Sequence, residues 1–242
     1  MGRREGTDGC IHEPLVDAGV TVCLVTDRRQ LSPGARTARD EVLALARWLE
    51  GAVAAGIDLI QVRERDLPAR LLCELARAVT GMAAGSRTRV VINDRADVAV
   101  AAGADGVHLR GDGPPVARVR ALGAGGRSSW VVGRSAHSVQ DARDHADADY
   151  LLFGSVFPSG DKPGCGIEAL RSVVSACPRT PVIAIGGMTV PRAADCVAAG
   201  ARGVAAIRLF LPPERAAGTL GVAAGTAELR RVIDDAATGH LQ

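Results

Sequence analysis

The sequence predicts a parallel α/β barrel of the (β/α)8, or TIM, type. Short apolar runs rich in β-branched residues alternate with Ala- and Leu-rich stretches of helical spacing, and this alternation occurs eight times. Parallel strands covered by helices are apolar almost throughout, and eight such units close into a barrel. The 242 residues suit one domain of this kind, since such barrels contain about 250 residues. An open doubly wound sheet is the alternative, but it does not need an eighth unit.

The eight predicted units follow one another in a regular order. The predicted strands are residues 21–25, 58–62, 89–92, 105–109, 129–133, 149–153, 181–185 and 203–207. The predicted helices are residues 36–55, 68–84, 96–102, 115–122, 139–146, 167–176, 191–199 and a last helix within 213–236. Pro68 suits the first turn of its helix and Gly103 the end of its helix. Residues 101–107 and 198–204 are near repeats, as expected of a recurring unit.

The composition of the sequence indicates how the domain is organised and argues against some classes of partner. Residues 20–237 form the predicted barrel, between a loose N-terminal arm (1–19) and a C-terminal tail (238–242); the arm lacks the apolar core of a signal peptide. A net charge of +2 and few aromatic residues argue against nucleic acid and membrane partners. The six cysteines form no C-x-x-C motif and are expected to be reduced thiols of a cytoplasmic protein. The expected partners are small molecules, and a homo-oligomer is compatible with the sequence.

Two aspartates follow the third and fourth predicted strands. Asp94 comes directly after Asn93 at the end of the third strand, and Asp112 lies just past the fourth. Mg²⁺ usually binds one or two carboxylates together with substrate phosphates, so Asp94 and Asp112 are candidate metal ligands. The alternative is that Asp94 caps the following helix and Asp112 is a turn residue.

The remaining candidates also lie at the C-terminal ends of strands, where barrels of this type carry their active sites. They are Gln61, Arg63, Arg65, Asn93, His108, Ser135, His137, Ser159, Gly160, Asp161, Lys162, Gly186, Gly187, Ile207 and Arg208. Gln61, Arg63 and Arg65 alternate and are expected to share one face. A Gly-Gly turn after the seventh strand matches the usual phosphate site, in which backbone N–H groups face the anion. Cations with paired carboxylates predict a pyrophosphate bridged by Mg²⁺.

Six motifs, in order, resemble the thiamine-phosphate synthase and thiazole tautomerase superfamily. They are Gln61-Val-Arg-Glu-Arg65, Ile92-Asn-Asp-Arg95, Gly106-Val-His-Leu109, Gly133-Arg-Ser-Ala-His137, Phe153-Gly-Ser-Val-Phe-Pro158 with Lys162, and Ile183-Ala-Ile-Gly-Gly-Met188. The match runs from about residue 22 to residue 209. The resemblance implies a (β/α)8 barrel that handles a thiazole phosphate.

The resemblance implies one of two chemistries. The synthase joins hydroxymethylpyrimidine pyrophosphate to thiazole phosphate and expels pyrophosphate, whereas the tautomerase moves a proton on a carboxythiazole phosphate without a metal. By position, the synthase pattern implies Asp94 and Asp112 as Mg²⁺ ligands. It implies that residues 61–65, Asn93 and Lys162 contact the pyrimidine pyrophosphate and Ser135 the reacting substrate. Residues 159–161, 187 and 207–208 would then hold the thiazole phosphate. Arg63, Lys162 and Mg²⁺ would neutralise the leaving charge.

Some positions depart from the synthase pattern. Arg65 replaces the usual Lys, Ser159 and Asp161 replace threonines, Arg208 replaces Ser, and the 163–167 loop is short. The tautomerase alternative makes His137 the general acid/base, since imidazole titrates near neutrality; otherwise His137 only supports the site by a hydrogen bond. His108 is expected to be structural. Both aspartates favour the synthase because a metal-free proton transfer does not need them. A non-catalytic phosphate-binding barrel is a further alternative.

Overall fold

The computed structural model describes residues 19–123, 130–215 and 218–238, and they form the predicted barrel. Eight parallel strands pair in sequence order, and the first closes against the eighth. The strands are β1 (Thr21–Val25), β2 (Leu59–Val62), β3 (Arg89–Asn93), β4 (Gly106–Leu109), β5 (Val131–Ala136), β6 (Tyr150–Phe153), β7 (Val182–Ile185) and β8 (Gly203–Ala206). The predicted fold class is therefore confirmed.

Each strand is followed by a helix on the outside of the barrel. These helices are α2 (Ala38–Ala54), α3 (Ala69–Ala83), α4 (Ala96–Ala102), α5 (Val116–Gly123), α6 (Val139–Asp144), α7 (Ile167–Ala176), α8 (Val190–Ala198) and α9 (Val222–Thr238). Two short elements were not predicted, the helix α1 (Arg28–Leu31) and a 3-10 turn, Arg208–Phe210. In the described ranges every helix is too short or too polar to cross a membrane.

The fifth strand differs most from its predicted bounds. It was predicted over residues 129–133 but extends to Ala136, because the polar residues Arg134 and Ser135 continue it. Arg134 faces the outer side, where Nη1 and Nη2 donate to loop carbonyls while Nε has no partner among the described residues; the three bonds allow the cation to be buried there. Residue 129, the predicted start of that strand, lies outside the described residues. So do residues 1–18 and 239–242, and the division into arm, barrel and tail stays a prediction.

The barrel interior changes from apolar to polar along the strands. The apolar inner layer consists of Cys23, Val25, Leu59, Val91, Val131, Tyr150, Leu152, Ile183 and Ala205. The intervening strand residues pack outward against the helices. Because alternate residues share a face, the inward positions continue as Gln61 in β2, Asn93 in β3 and Ser135 in β5. The C-terminal mouth of the barrel is therefore lined with polar side chains.

At the N-terminal end, three aspartates each bond both backbone groups of a valine in the preceding strand. The pairs are Asp58 with Val22, Asp105 with Val90, and Asp149 with Val132. In each pair the carboxylate accepts from the valine N–H, and the aspartate N–H donates to the valine carbonyl. Arg202 occupies the equivalent position before β8, and its N–H donates to the Val182 carbonyl at 2.8 Å. We call each Asp–Val pair a clasp.

Candidate active site

A chain of hydrogen-bonded side chains crosses the mouth from β2 to the end of β3. Gln61 is 2% exposed, and its Nε2 donates to Asn93 Oδ1 at 2.9 Å. Asn93 Nδ2 in turn donates to Asp94 Oδ2 at 2.8 Å. Gln61 Oε1 is also buried, but among the described residues it has no hydrogen-bond partner. The mouth therefore contains a buried acceptor that lacks a donor.

Asp94 is held in a backbone conformation that few residues adopt. Its φ is +59°, in the left-handed region where Asp and Asn are tolerated best after Gly. Its N–H donates to the His108 carbonyl at 2.8 Å, and its Oδ1 accepts from the Arg110 N–H at 2.9 Å. The alternative of a helix cap is wrong, because Arg95 occupies the cap position of α4 and no side chain caps the helix there. The Asp94 carboxylate instead faces the loop after β4.

The second aspartate lies on that same loop. Asp112 is exposed, and its Oδ1 lies 2.8 Å from Arg110 Nε. Arg110 therefore contacts both carboxylates, Asp94 through its backbone and Asp112 through its side chain. Arg134 holds the loop from β5 by donating to the carbonyls of Gly111, Gly113 and Pro114 at 2.8, 2.7 and 2.7 Å. This support could not be predicted from the sequence, because the loop follows β4 whereas the arginine lies on β5.

The carboxylates of Asp94 and Asp112 suit a hard cation whose remaining ligands are water and substrate phosphates. The described part of the chain contains no group of three or more His, Cys, Asp or Glu side chains placed to hold a metal ion. Two carboxylates are nevertheless what Mg²⁺ usually takes from a protein, with water and substrate phosphates completing its six oxygen ligands. Asp94 and Asp112 therefore fit a magnesium–phosphate ligand rather than a closed protein site.

A second hydrogen-bonded group joins β4, β5 and β6. His108 is 1% exposed, with Nδ1 3.1 Å from Tyr150 Oη and Nε2 2.9 Å from Ser135 Oγ. Burial, and then the charge of Arg63, lower the pKa of His108 to about 3, so its imidazole is neutral at pH 7. The ring of His108 points into the barrel as expected, and its contact with Ser135 places it next to the candidate site. Tyr150 was not among the predicted site residues, because it is distant in sequence from His108 and lies on a different strand from Ser135.

Arg63 provides a cation for this region. It is half-buried, and within the described ranges no carboxylate lies close enough to form an ion pair with it. Burial, and then the neighbouring charge of Arg65, lower the pKa of Arg63, but a guanidinium remains protonated near neutrality. Asp94 and His108 are also close enough to interact with it electrostatically. An unpaired, partly desolvated guanidinium is suited to an anionic ligand.

The backbone of Arg63 is bonded to a buried network that was not predicted from the sequence. The Arg63 N–H donates to Thr26 Oγ1 at 2.9 Å, and Thr26 Oγ1 donates to Glu64 Oε1 at 2.7 Å. Arg28, only 4% exposed, pairs with Glu64 at 3.0 Å, Asp66 at 2.7 Å and Glu41 at 2.7 Å. This network fixes the loop after β2 to the loop after β1. Polar residues directly after both strands were the only available signal.

The loops after β6 and β7 pack closely against each other. Ser159 and Lys162 exchange backbone hydrogen bonds of 3.0 and 3.2 Å, so that Gly160 and Asp161 form a tight turn that presents the exposed Lys162. Gly187 has a φ of +58°, and a Cβ there would lie 2.4 Å from the Pro158 carbonyl oxygen. Only glycine fits this position, which brings the Gly-Gly turn against the segment that leads to Lys162.

The other candidates contact different parts of the chain. The exposed Arg208 donates from Nε to Gln30 Oε1 on α1 at 3.3 Å. His137 donates from Nδ1 to the Gly154 carbonyl at 2.5 Å and so links the ends of β5 and β6. Ile207 packs against the inner apolar layer, and Arg65 is exposed beside Arg63. Direct contacts thus join Gln61, Asn93 and Asp94 in one group and His108, Ser135 and Tyr150 in another, while Arg208 and His137 contact residues outside both groups.

Comparison with known proteins gives a consistent result. The family model described as thiamine monophosphate synthase matches residues 23–210. The putative thiamine-phosphate synthase of Geobacter sulfurreducens is 40% identical over 209 residues, which cover 82% of this chain and 92% of that protein. The thiamine-phosphate synthase of Moorella thermoacetica is 38% identical over 193 residues, covering 76% and 86%. The solved thiamine phosphate pyrophosphorylase of Pyrococcus furiosus superposes with a TM-score of 0.73 at 28% identity, covering 90% and 96%.

Proposed function

Because the chain belongs to the thiamine monophosphate synthase family, we propose that its barrel mouth performs the synthase reaction with the residues described above. The protein is a thiamine-phosphate synthase, a transferase of thiamine biosynthesis. It condenses hydroxymethylpyrimidine pyrophosphate with thiazole phosphate to thiamine phosphate and releases pyrophosphate. Its partners are therefore small molecules, and the free thiols among the described residues support a cytoplasmic location.

The observation that carries the site assignment is the buried, unpartnered Gln61 Oε1. A buried acceptor without a donor costs free energy, so it is retained where a ligand supplies the donor. The amino group of the pyrimidine is such a donor. Asn93 fixes the Gln61 amide through the bond from Gln61 Nε2, which leaves Oε1 directed to the ligand. We therefore assign Gln61 and Asn93 to the pyrimidine ring.

The pyrophosphate is assigned to the two carboxylates and the cations. Asp94 and Asp112 would hold Mg²⁺, which supplies positive charge to the departing pyrophosphate when it is bound. Asp112 would exchange its ion pair with Arg110 for the metal, which its exposed position permits. Arg63, Arg65 and Lys162 add positive charge, and Ser135 adds a hydroxyl. Groups arranged in advance for developing charge are each worth roughly 3 kcal/mol of barrier.

Bond making and breaking then need no general base. The C–O bond between the pyrimidine methylene carbon and the pyrophosphate breaks, and the electron pair leaves with the pyrophosphate. The thiazole nitrogen then supplies its own electron pair to that carbon. We assign the thiazole phosphate to the Gly187 turn, to residues 159–161 and to residues 207–208. The tight turn and the left-handed Gly187 support backbone N–H binding of an anion there.

Mutation of the aspartates tests this assignment. With both substrates and Mg²⁺, D94N and D112N should each form thiamine phosphate about 100-fold more slowly, or worse, because Asn keeps the shape but loses the charge. D94N should remain folded since Asn tolerates the left-handed conformation. D97N is the matched control, because Asp97 is exposed on α4 and pairs only with Arg95 there. Normal turnover by both site variants would contradict the metal assignment.

The tautomerase alternative predicts the opposite pattern. Its proton transfer would depend on His137, whose Nε2 remains available because Nδ1 donates to the Gly154 carbonyl. The relatives that bear the synthase name favour the first assignment. Isomerisation of carboxythiazole phosphate in EDTA, abolished in H137A and without any thiamine phosphate formation, would instead establish the tautomerase. Phosphate binding with neither turnover would indicate the non-catalytic barrel.

A further inference from the structure

Three side chains from neighbouring strands form a continuous chain inside the barrel. Tyr150 Oη lies 3.1 Å from His108 Nδ1, and His108 Nε2 lies 2.9 Å from Ser135 Oγ. The register places Gly133 directly between them, paired with His108 on one side and Tyr150 on the other. A Cβ on Gly133 would lie 2.0 Å from Tyr150 Cζ, so the tyrosine ring uses the space that this glycine leaves.

The hydrogen bonds that link Tyr150, His108 and Ser135 can run in only one direction. His108 is 1% exposed, and among the described residues its two ring nitrogens contact the hydroxyls of Tyr150 and Ser135. Each ring nitrogen can donate to or accept from a hydroxyl, so the hydroxyl that must donate decides which nitrogen carries the proton. Tyr150 is 1% exposed, and burial raises its pKa well above the usual value, so it keeps its proton. Among the described residues, His108 Nδ1 is the acceptor within reach of that proton. A buried O–H requires an acceptor, so Nδ1 accepts and the imidazole proton is on Nε2.

This arrangement decides what the Ser135 hydroxyl can do. If His108 Nε2–H donates to Ser135 Oγ, the serine's own proton is not used inside the barrel. Ser135 is half-buried at the C-terminal end of β5, on the same inward face as the polar mouth. Its O–H is then free to donate to a ligand.

We propose that Tyr150 and His108 are positioning residues that make Ser135 a directed hydrogen-bond donor to an anionic oxygen of the bound substrate. This inference rests on the proposed function, in which that oxygen belongs to the pyrophosphate. A donor whose direction is fixed before binding needs no reorganisation as negative charge develops on the leaving group. Tyr150 and His108 act on the reaction only through Ser135.

The first test is the tautomer of His108 in the free protein. Nitrogen-15 NMR of histidine-labelled protein should show His108 with a protonated Nε2 and an unprotonated Nδ1, the signals being assigned with H108Q. In Y150F, which keeps the ring and removes the O–H, the tautomer should shift toward protonated Nδ1. A wild-type His108 protonated on Nδ1 would overturn the proposal. This measurement needs no substrate, so its outcome is independent of the proposed function.

The second test separates positioning from a merely structural role. Y150F should lower kcat/KM for thiamine phosphate formation about 3- to 10-fold, as expected for one neutral hydrogen bond. In an S135A background, Y150F should cause no further loss, because the residue through which it acts is absent. An equal additional loss in that background would refute the relay. If the wild-type protein forms no thiamine phosphate, the proposed function fails while the NMR result still decides the relay.

Discussion

Replacing Arg28 by methionine should destabilise the fold strongly because it leaves a buried carboxylate without its cation. Arg28 and Glu64 are 4% and 5% exposed, and their side chains are 3.0 Å apart. Removing one partner of such a pair costs about 3–5 kcal/mol of unfolding free energy. For a domain of this size that corresponds to a fall in Tm of about 6–20 °C. R29M is the matched control, since Arg29 is exposed and pairs only with Asp66; its cost should stay below about 1 kcal/mol.

The loss of unfolding free energy caused by R28M should also depend on pH. Burial already raises the pKa of Glu64, and hydrogen bonds from Thr26 and Arg28 oppose that rise. Without Arg28 the pKa of Glu64 should rise further. A carboxyl whose folded pKa exceeds its unfolded value destabilises the native state as pH rises through the folded pKa. Arg28 also lowers the pKa of Asp66 to about 2, but the stability gained from that is fully present above about pH 3.8, so its loss is the same at about pH 5 and about pH 8.

Urea unfolding followed by tryptophan fluorescence would measure both effects. The difference between R28M and wild type should be larger at about pH 8 than at about pH 5. The double variant R28M/E64Q should recover part of the loss, because a neutral amide still accepts the bond from Thr26. The reasoning would be refuted if R28M cost no more than R29M, or if its cost were the same at both pH values.

Three further substitutions test close contacts around the site. G133A should lower the free energy of unfolding by about 1–3 kcal/mol, because its Cβ would overlap the Tyr150 ring. G51A on α2 is the control and should be neutral or stabilising, since a Cβ there would have nothing within 4 Å; thermal unfolding of both variants measures the difference. R134K should weaken Mg²⁺ activation about 10-fold, since a single ammonium nitrogen cannot replace the two separated guanidinium nitrogens that hold the loop carbonyls around Asp112. An unchanged magnesium titration would contradict this. G187A should raise KM for thiazole phosphate about 10-fold, because it adds a clash with Pro158 to the cost of a positive φ. G85A is the matched control, because Gly85 also has a positive φ but has open space around it and lies outside the site; an equal effect of both substitutions would refute the argument.

The fold could be predicted because its signal is local. A buried parallel strand is an apolar run, and polar residues at its C-terminal end mark the mouth of the barrel. This signal identified Gln61, Asn93 and Asp94 as candidates. The end of β5 was missed for the same reason, since Arg134 and Ser135 look like a loop although they continue the strand. Their burial depends on partners in another strand and loop, which periodicity cannot show.

The supporting contacts of the site could not be predicted because they depend on register. Tyr150 reaches His108 only because Gly133 lies between them in the sheet, and sequence spacing alone does not place these residues side by side. Arg28 and Glu64 are similarly separated by a whole helix and a strand. The residue type of Asp94 allowed a helix cap as an alternative to a metal ligand, and the structure excludes the cap because Arg95 occupies that position. Residue types identified the candidates, and three-dimensional pairing determined their partners.

The clasps at the N-terminal end divide the barrel into modules of two strands. Each clasp joins a strand to the next one in sequence, so β1–β2, β3–β4 and β5–β6 are each closed within a single βαβ module. The β7–β8 module has Arg202 at the aspartate position and keeps the backbone bond to Val182. A division of the chain between β4 and β5 therefore separates two half-barrels and leaves every described clasp intact, whereas a division between β3 and β4 breaks one. Fragments that keep their clasps, such as these half-barrels, are thus expected to reassociate into the whole protein more readily than fragments that divide a module.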